Sequence, residues 1–206
     1  MDNAWISRLA EELAKPLPGA EVQLRMSPGV KRPVSTDRPL RQSGVLLLLY
    51  PLEGGIYTVF IKRSEYNGIH SGQISLPGGM FEKGDRLLRN TALREAKEET
   101  GMPIEEVRVI GQLTRVFIPV SNVHVFPFVA VTSKRPDFTP DTNEVQYLIE
   151  TNLDELLNPI NHKRKIMQIA DLSVEVPFYD IRGNHIWGAT AMILSEFLEI
   201  IRRTMC

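Results

Sequence analysis

Three carboxylates, Glu95, Glu98 and Glu99, fall within one short stretch, RNTALREAKEETG, downstream of Leu76-Pro77-Gly78-Gly79. On an α-helix, residues three and four apart are neighbours on one face, so these side chains would crowd together. Like charges so placed repel by a few tenths of a kcal/mol in water, and by more when partly buried. A hard divalent cation removes that cost. Mg²⁺ takes oxygen ligands and is usually held by a few carboxylates plus substrate phosphates. Bound here, it would polarise a phosphoryl group and lower the pKa of a water molecule. The competing reading is a solvated acidic face with Arg94 and Lys97 as partial partners, since exposed ion pairs contribute little. Gly78 and Gly79 tip the balance, because paired glycines let the backbone turn tightly and approach a ligand closely.

The elements that would position this helix can be read on either side of it. Val45–Tyr50, VLLLLY, is a continuous apolar run and predicts a buried strand. The turn PLEGG and the return strand Ile56–Arg63 complete a hairpin. Residues 64–84 form a Gly-rich loop. Asp85–Thr100 predicts the charged helix, with Asp85 as its N-cap, Leu87, Leu88, Thr91, Ala92 and Ala96 as its packing side, and Gly101 as its stop. Strands are predicted at Val107–Val116, Val123–Val131 and Glu144–Ile149, and a short helix at Asn152–Leu157. Residues 158–171 are polar and predict an excursion. A late hairpin turns at Arg182-Gly183 and leads to a last amphipathic helix with Ala191, Leu194, Leu198 and Ile201 on one side. Strands and helices do not alternate regularly, so the fold class predicted is α+β.

The stretch from Gly79 to Met102 resembles the Nudix box, whose pattern is G-x5-E-x7-R-E-U-x-E-E-x-G-U, with U a bulky aliphatic residue. Gly79, Arg94, Glu95, Glu98, Glu99, Gly101 and Met102 match, and Ala96 is a small version of the U position. Asp85 stands where the pattern has Glu, and eight residues, Arg86 to Leu93, separate it from Arg94. Both departures are common in the coenzyme A pyrophosphatase branch of that family. The upstream VFIKRSEYNGIHSGQISLPGG is similar to that branch's signature at Arg63, Ser64, Gly72, Pro77, Gly78 and Gly79. Gly68 replaces an arginine of the signature, and Leu76 a phenylalanine. IWGATAMIL, near the C-terminus, also resembles the branch, and the resemblance runs from about residue 40 onwards.

The resemblance implies an α/β/α sandwich with a mixed β-sheet. It implies Glu95 and Glu99 as ligands of Mg²⁺ (or Mn²⁺), and Glu98 as a further ligand or the base that activates water. The Gly79 carbonyl is a further candidate ligand, and Arg94 would orient the carboxylates through Asp85. Glu144 would supply a ligand or base from a downstream loop, or else be a solvated strand end. The reaction implied is hydrolysis of the pyrophosphate of coenzyme A or acyl-coenzyme A to 3′,5′-ADP and (acyl-)4′-phosphopantetheine. Gly68 keeps open another nucleoside diphosphate derivative, such as a nucleotide sugar, NADH or a dNTP. A non-catalytic Nudix-fold binding module ranks lower, because all three glutamates are present.

Other residues carry paired readings. Lys62 and Arg63 either contact substrate phosphates or are exposed charges at a strand end. His70 is either a general base or a hydrogen-bonding loop residue beside Gln73. Tyr66 either stacks on a base or packs in its loop. The histidines 124, 162 and 185 read as isolated and structural. The connector at residues 25–42 carries Arg25, Lys31, Arg32, Arg38 and Arg41, and is either solvated or faces an anionic substrate.

Length and composition bound the rest. The chain has 206 residues, is 43% hydrophobic and 24% charged, and carries a net charge of −1. No basic field points to nucleic acid, so the expected partner is a small-molecule nucleotide. VLLLLY is too short to span a bilayer, so no membrane partner is expected. One cysteine, Cys206, cannot form a disulfide within the chain, and the N-terminus lacks a basic start followed by an apolar run. The expectation is a cytoplasmic protein. Its organisation would be an N-terminal helix with a basic connector (1–39) packed on a Nudix hydrolase domain (40–206). The apolar face of that helix (Trp5, Ile6, Leu9, Ala10, Leu13) is read as packing on the domain, with a homodimer through it as the lesser alternative.

Overall fold

The computed structural model describes residues 1–29, 39–65, 67–68, 70–169 and 172–205. Lys31, Arg32 and Arg38 of the connector, Tyr66 and Cys206 lie outside the described residues. The central strand is β1 (Arg41–Leu52), and its apolar run is buried because both of its faces are covered. Successive side chains of a strand point to opposite faces. Leu46, Leu48 and Tyr50 therefore pack with Ala92 and Ala96 on one side, while Leu47 and Leu49 join a larger core on the other.

β1 forms a hairpin with β2 (Gly55–Arg63) and runs parallel to β7 (Val123–Val131). Around these three lie β3 (Ile74–Ser75), β4 (Gly78–Met80), β5 (Arg108–Gln112), β6 (Val116–Ile118) and β8 (Val145–Asn152). Among the described residues they make a mixed eight-stranded sheet, with β1–β7 parallel and the other pairs antiparallel. One face carries the charged helix α3 (Leu88–Thr100). The other carries the N-terminal helix α1 (Asn3–Ala14), the short α2 (Gly19–Gln23) and the C-terminal helix. The fold is an α+β sandwich, as predicted.

The charged helix starts later than predicted. α3 spans Leu88–Thr100, and its N-cap position is Leu87. Asp85 is instead the last residue of a separate 3₁₀ turn, Lys83–Asp85, where it and Glu82 cap each other reciprocally. An Asp in reach of an arginine gains more from that charge than from capping a helix end. The strand predicted over Val107–Val116 is likewise broken into β5 and β6.

A second sheet was read only in part. β10 (Leu172–Ile181) and β11 (Asn184–Trp187) form the predicted hairpin, but β9 (His162–Ile169) adds a third strand where an excursion was expected. β9 is an edge strand held by charges across the ladder, with Lys163–Asp180 at 2.7 Å and Arg164–Glu175 at 2.9 Å. Such a strand shows no apolar alternation to read. Between the sheets runs α4 (Leu153–Leu157), capped by Asn152.

α5 (Gly188–Met205) closes the far side, and nearly all of its inner residues are buried. Glu196 on it is 0% exposed, yet its carboxylate is satisfied by four donors. They are the Gly19 amide (3.0 Å), Gln23 Nε2 (2.8 Å), and the Thr114 amide (3.1 Å) and hydroxyl (2.6 Å). Burying a carboxylate is tolerable only with such partners, so Glu196 ties α2, α5 and the β5–β6 connection together. Ile6, Leu9 and Leu13 of α1 enter the same core as α5. That apolar face is used within the chain. Among the described residues no helix is long and apolar enough to cross a membrane.

Helix α3 rests directly on β1 at Gly44. A Cβ there would come closer than 3.0 Å to the Leu88 carbonyl oxygen, a backbone atom that cannot rotate away. Gly44→Ala should therefore destabilise the protein by about 3 kcal/mol through overpacking. Urea unfolding measures this, and a midpoint equal to wild type would refute the direct seating of α3 on the sheet.

Candidate active site

The site is built by β4 and α3. β4 pairs antiparallel with β1, placing Gly79 opposite Gly44 and Gly78 opposite Val45. Gly78 has φ +151, a conformation that L side chains rarely adopt, and a Cβ on it would strike the Gly44 carbonyl and Val45. At Gly79 a Cβ would fall on the Glu95 carboxylate. The first glycine is needed by the sheet and the second by the carboxylate.

Glu99 points inward and is only 1% exposed. It accepts the Gly78 amide at 2.8 Å and an Arg63 guanidinium nitrogen at 3.0 Å. Burial pushes its carboxyl up to about 7; Gly78 and Arg63 oppose the shift, and the charges of Glu95 and Glu144 add to it. Glu95 is half-buried, and its carboxyl is also raised, by burial first and with the charges of Glu98 and Glu144 adding, while Arg94 opposes. Glu98 stands outermost at 58% side-chain exposure.

Arg94 organises this edge. It donates to Asp85 at 2.8 and 3.1 Å, to the Met80 carbonyl at 3.2 Å and to Glu98 at 2.9 Å, and pairs with Glu95 at 2.9 Å. Asp85 also accepts from the Thr91 hydroxyl (2.8 Å) and the Glu82 amide (2.9 Å). The Arg94 hydrogen bonds, more than any other cause, hold the Asp85 carboxyl well below the usual range. In return, the Arg94 guanidinium is held more firmly charged, first by its bonds to Asp85.

The carboxylates could hold a hard cation. Glu95, Glu99 and Glu144 press electrostatically on one another, so they share a demand for positive charge, and every donor is oxygen. Among the described residues no three His, Cys, Asp or Glu side chains converge into a ready-made cage. A cation that keeps waters and takes phosphate oxygens from its substrate needs fewer protein ligands.

A cavity of about 460 Å³ opens beside these groups. Its lining combines Arg63, Gly78, Gly79 and Glu95 with the apolar Ile118, Val120, Val123, Val125 and Ile193. Two lining hydroxyls, of Ser75 and Ser121, are closed off from solvent without a hydrogen-bond partner among the described residues. Nothing in the sequence singled out the apolar lining, because its residues come from β6, the 3₁₀ turn after it, β7 and α5 and read simply as core. The structure thus gathers Glu95, Glu99, Arg63, Gly78 and Gly79, with Glu144 within electrostatic reach. It turns Lys62 into a neighbouring pocket, where its Nζ donates to the Gly72 carbonyl. His70 lines the cleft with its Nδ1 3.2 Å from Gln73 Oε1, in keeping with the loop-bonding reading. Arg25 of the connector pairs with Glu199 on α5 at 3.4 Å.

A sandwich that sets a carboxylate-bearing helix beside a glycine strand and a polar-to-apolar cleft defines a pyrophosphohydrolase scaffold. The model of the NUDIX domain matches residues 40–171, and the chain belongs to the Nudix family of hydrolases. It is 34% identical over 181 residues to the Nudix hydrolase NudL of Pectobacterium atrosepticum, across 84% of this chain and 88% of that protein. It is 30% identical over 172 residues to the mitochondrial Nudix hydrolase 15 of Arabidopsis thaliana, across 79% of this chain and 60% of that protein. Among solved structures, the NUDIX domain of Shewanella oneidensis NrtR, complexed with ADP ribose, superposes with a TM-score of 0.53 at 16% identity. The superposition covers 82% of this chain and 90% of that one and speaks for the fold. Nudix hydrolases generally use divalent metal ions such as Mg²⁺.

Replacing Asp85 by Asn should cost about 2–4 kcal/mol, since it leaves Arg94 short of its strongest acceptor. The sign of the pH dependence follows from the depressed carboxyl. Its stabilisation is complete above the ordinary value of 3.8 and is lost as pH falls below it. The stability gap between wild type and Asp85→Asn, measured by urea unfolding, should be flat from pH 8 to about 5 and close below about 4. A gap that widens in acid would refute the assignment.

Proposed function

We propose that this Nudix hydrolase cleaves the pyrophosphate bond of coenzyme A or acyl-coenzyme A, giving 3′,5′-ADP and (acyl-)4′-phosphopantetheine, with Mg²⁺ or Mn²⁺. The observation that carries this reading is the cleft beside α3, in which Glu95 and the glycine backbone adjoin apolar walls with two buried hydroxyls unpaired among the described residues. An unpaired buried hydroxyl costs roughly 1–3 kcal/mol. An aliphatic arm that carries amides suits both the walls and the hydroxyls, and the pantetheine arm of coenzyme A is such a group. The signature around Arg63, Ser64, Gly72 and Pro77–Gly79 supports the same branch.

In this reading Glu95 and Glu99 hold the cation, and Glu98 is a further ligand. The ion, when bound, offsets the charge of the diphosphate and makes water a better nucleophile. Gly78 and Gly79 let the diphosphate approach the backbone. Arg63, which lines the cleft and reaches Glu99 at 3.0 Å, would offer its remaining guanidinium donors to a phosphate oxygen. Arg94 is a positioning residue, since it fixes Glu95 and Glu98 from Asp85. Glu144 is the base, because its carboxylate has neither an ion pair nor a hydrogen bond among the described residues, whereas Arg94 holds Glu98. Lys62 binds substrate from the neighbouring pocket.

A second reading keeps the chemistry and changes the substrate to ADP ribose, a nucleotide sugar, NADH or a dNTP. Gly68 in the place of the signature arginine favours it, as does the ADP ribose bound by the NrtR domain.

Purified protein with Mg²⁺ or Mn²⁺ should turn over coenzyme A or acyl-coenzyme A in preference to ADP ribose, NADH and dNTPs, and EDTA should stop the reaction. Coenzyme A left intact while another of these is consumed would overturn the first reading in favour of the second. Glu99→Gln should abolish turnover in a protein that still folds, as circular dichroism would show. Near-normal activity in that variant would remove Glu99 from the metal site.

A further inference from the structure

The pocket that receives Lys62 is a separate cavity of about 240 Å³, whose walls are mainly polar. Lys62 comes from the end of β2, Tyr147 from β8, Lys165 from β9, and Asn184 and His185 from β11. Gln73, Ile74 and Trp187 line both this cavity and the main cleft, so a single layer of side chains separates them. Lys62 and Arg63 are successive strand residues and diverge to the two sides. Arg63 turns to Glu99 and the cleft, and Lys62 to the second pocket.

Two lysines, Lys62 and Lys165, line this pocket with little to neutralise them. Lys62 donates to the Gly72 carbonyl, an uncharged partner. Lys165 Nζ lies 2.7 Å from His185 Nδ1 and 5.0 Å from the centre of the Phe178 ring. Among the described residues no carboxylate pairs with either lysine. Asp180, the acid whose field reaches Lys165, is held by Lys163 at 2.7 Å. Glu65 is the acid at the rim. Its Oε1 and the Lys62 Nζ each lie 3.9 Å from where a Cβ on Gly72 would sit. The Lys165 ammonium donates to His185 Nδ1, which leaves Nε2–H of the imidazole as a further donor. Burial, and then the neighbouring Lys165 charge, hold His185 below its ordinary range, in keeping with the neutral ring.

We infer that this pocket is a phosphomonoester subsite, in which Lys62, Lys165 and His185 Nε2–H hold a phosphate that the substrate carries in addition to its diphosphate bridge. The inference rests on the adjoining cleft being the diphosphate site. Phosphate supplies several strong acceptor oxygens and the dianionic charge that two under-neutralised ammonium groups demand. The subsite therefore selects nucleotides with a phosphorylated ribose. Coenzyme A carries such a phosphate; ADP ribose and NADH do not.

The test compares calorimetric binding of 3′,5′-ADP and AMP, which differ by that one phosphate and contain no bond for the enzyme to cleave. Wild type should bind 3′,5′-ADP about tenfold more tightly. In Lys165→Met the preference should fall to about twofold or less, since the unbranched stem still packs on Phe178 while the charge is gone. Equal binding in wild type, or a preference that survives Lys165→Met, overturns the subsite. If Lys165→Met does not fold, amine acetylation of wild type decides. Protection of Lys165 by 3′,5′-ADP beyond that given by AMP supports the subsite, and equal labelling overturns it. A retained preference in a protein that leaves coenzyme A intact upholds the subsite while the coenzyme A reading falls.

Discussion

The geometry of the whole site depends on the pairing of Arg94 with Asp85. A guanidinium can satisfy several acceptors only if its plane is fixed, and the two bonds to Asp85 at 2.8 and 3.1 Å fix it. Once oriented, the same group reaches the Met80 carbonyl, Glu95 and Glu98. One side chain thus links the glycine strand, the turn after it and the acidic face of α3. Between Asp85 and the start of the helix at Leu88 the backbone turns sharply, with Arg86 at φ 60. Asp85 consequently sits below the helix start, where Thr91 and Arg94, one turn apart, both reach it.

The carboxylates themselves oppose stability. Glu99 is buried against Gly78 and Arg63, and its affinity for a proton rises accordingly. Glu95 lies against Gly79, where any side chain would displace it. A protein selected only for stability would place apolar groups at such positions. Keeping them charged and close stores a local demand for positive charge, which suits a cation bridging protein and phosphate. Glu98 and Glu144, left nearer to solvent, can exchange with water and substrate.

The far wall of the cleft has a different origin. β6, β7 and α5 meet there, and their relative placement is set by the buried Glu196, which joins α5 to α2 and to Thr114. The family match ends at residue 171, yet Trp187, Gly188, Thr190 and Ile193 line the cavity. The C-terminal hairpin and helix belong to the site as much as the glycine strand does. They also bring His185, which read as isolated in the sequence, to Lys165 and the polar pocket.

The sequence alone determined what depends on local spacing. The two-sided burial of VLLLLY, the acidic face of α3, the glycine pair and the terminal helices all follow from periodicities of two or 3.6 residues and from turn chemistry. The α+β class was legible for the same reason. Other features needed the tertiary structure, because they depend on distances between segments far apart in the chain. Asp85 gave up the predicted capping role because Arg94, nine residues on, offered it a stronger partner. β9 was hidden because an edge strand stabilised by cross-strand charges shows no apolar alternation. Lys62 and Arg63 are adjacent in sequence and equal in charge. Only the sheet decided that one faces the carboxylates and the other a separate pocket, since successive strand residues point to opposite sides and what waits on each side is set by the rest of the fold.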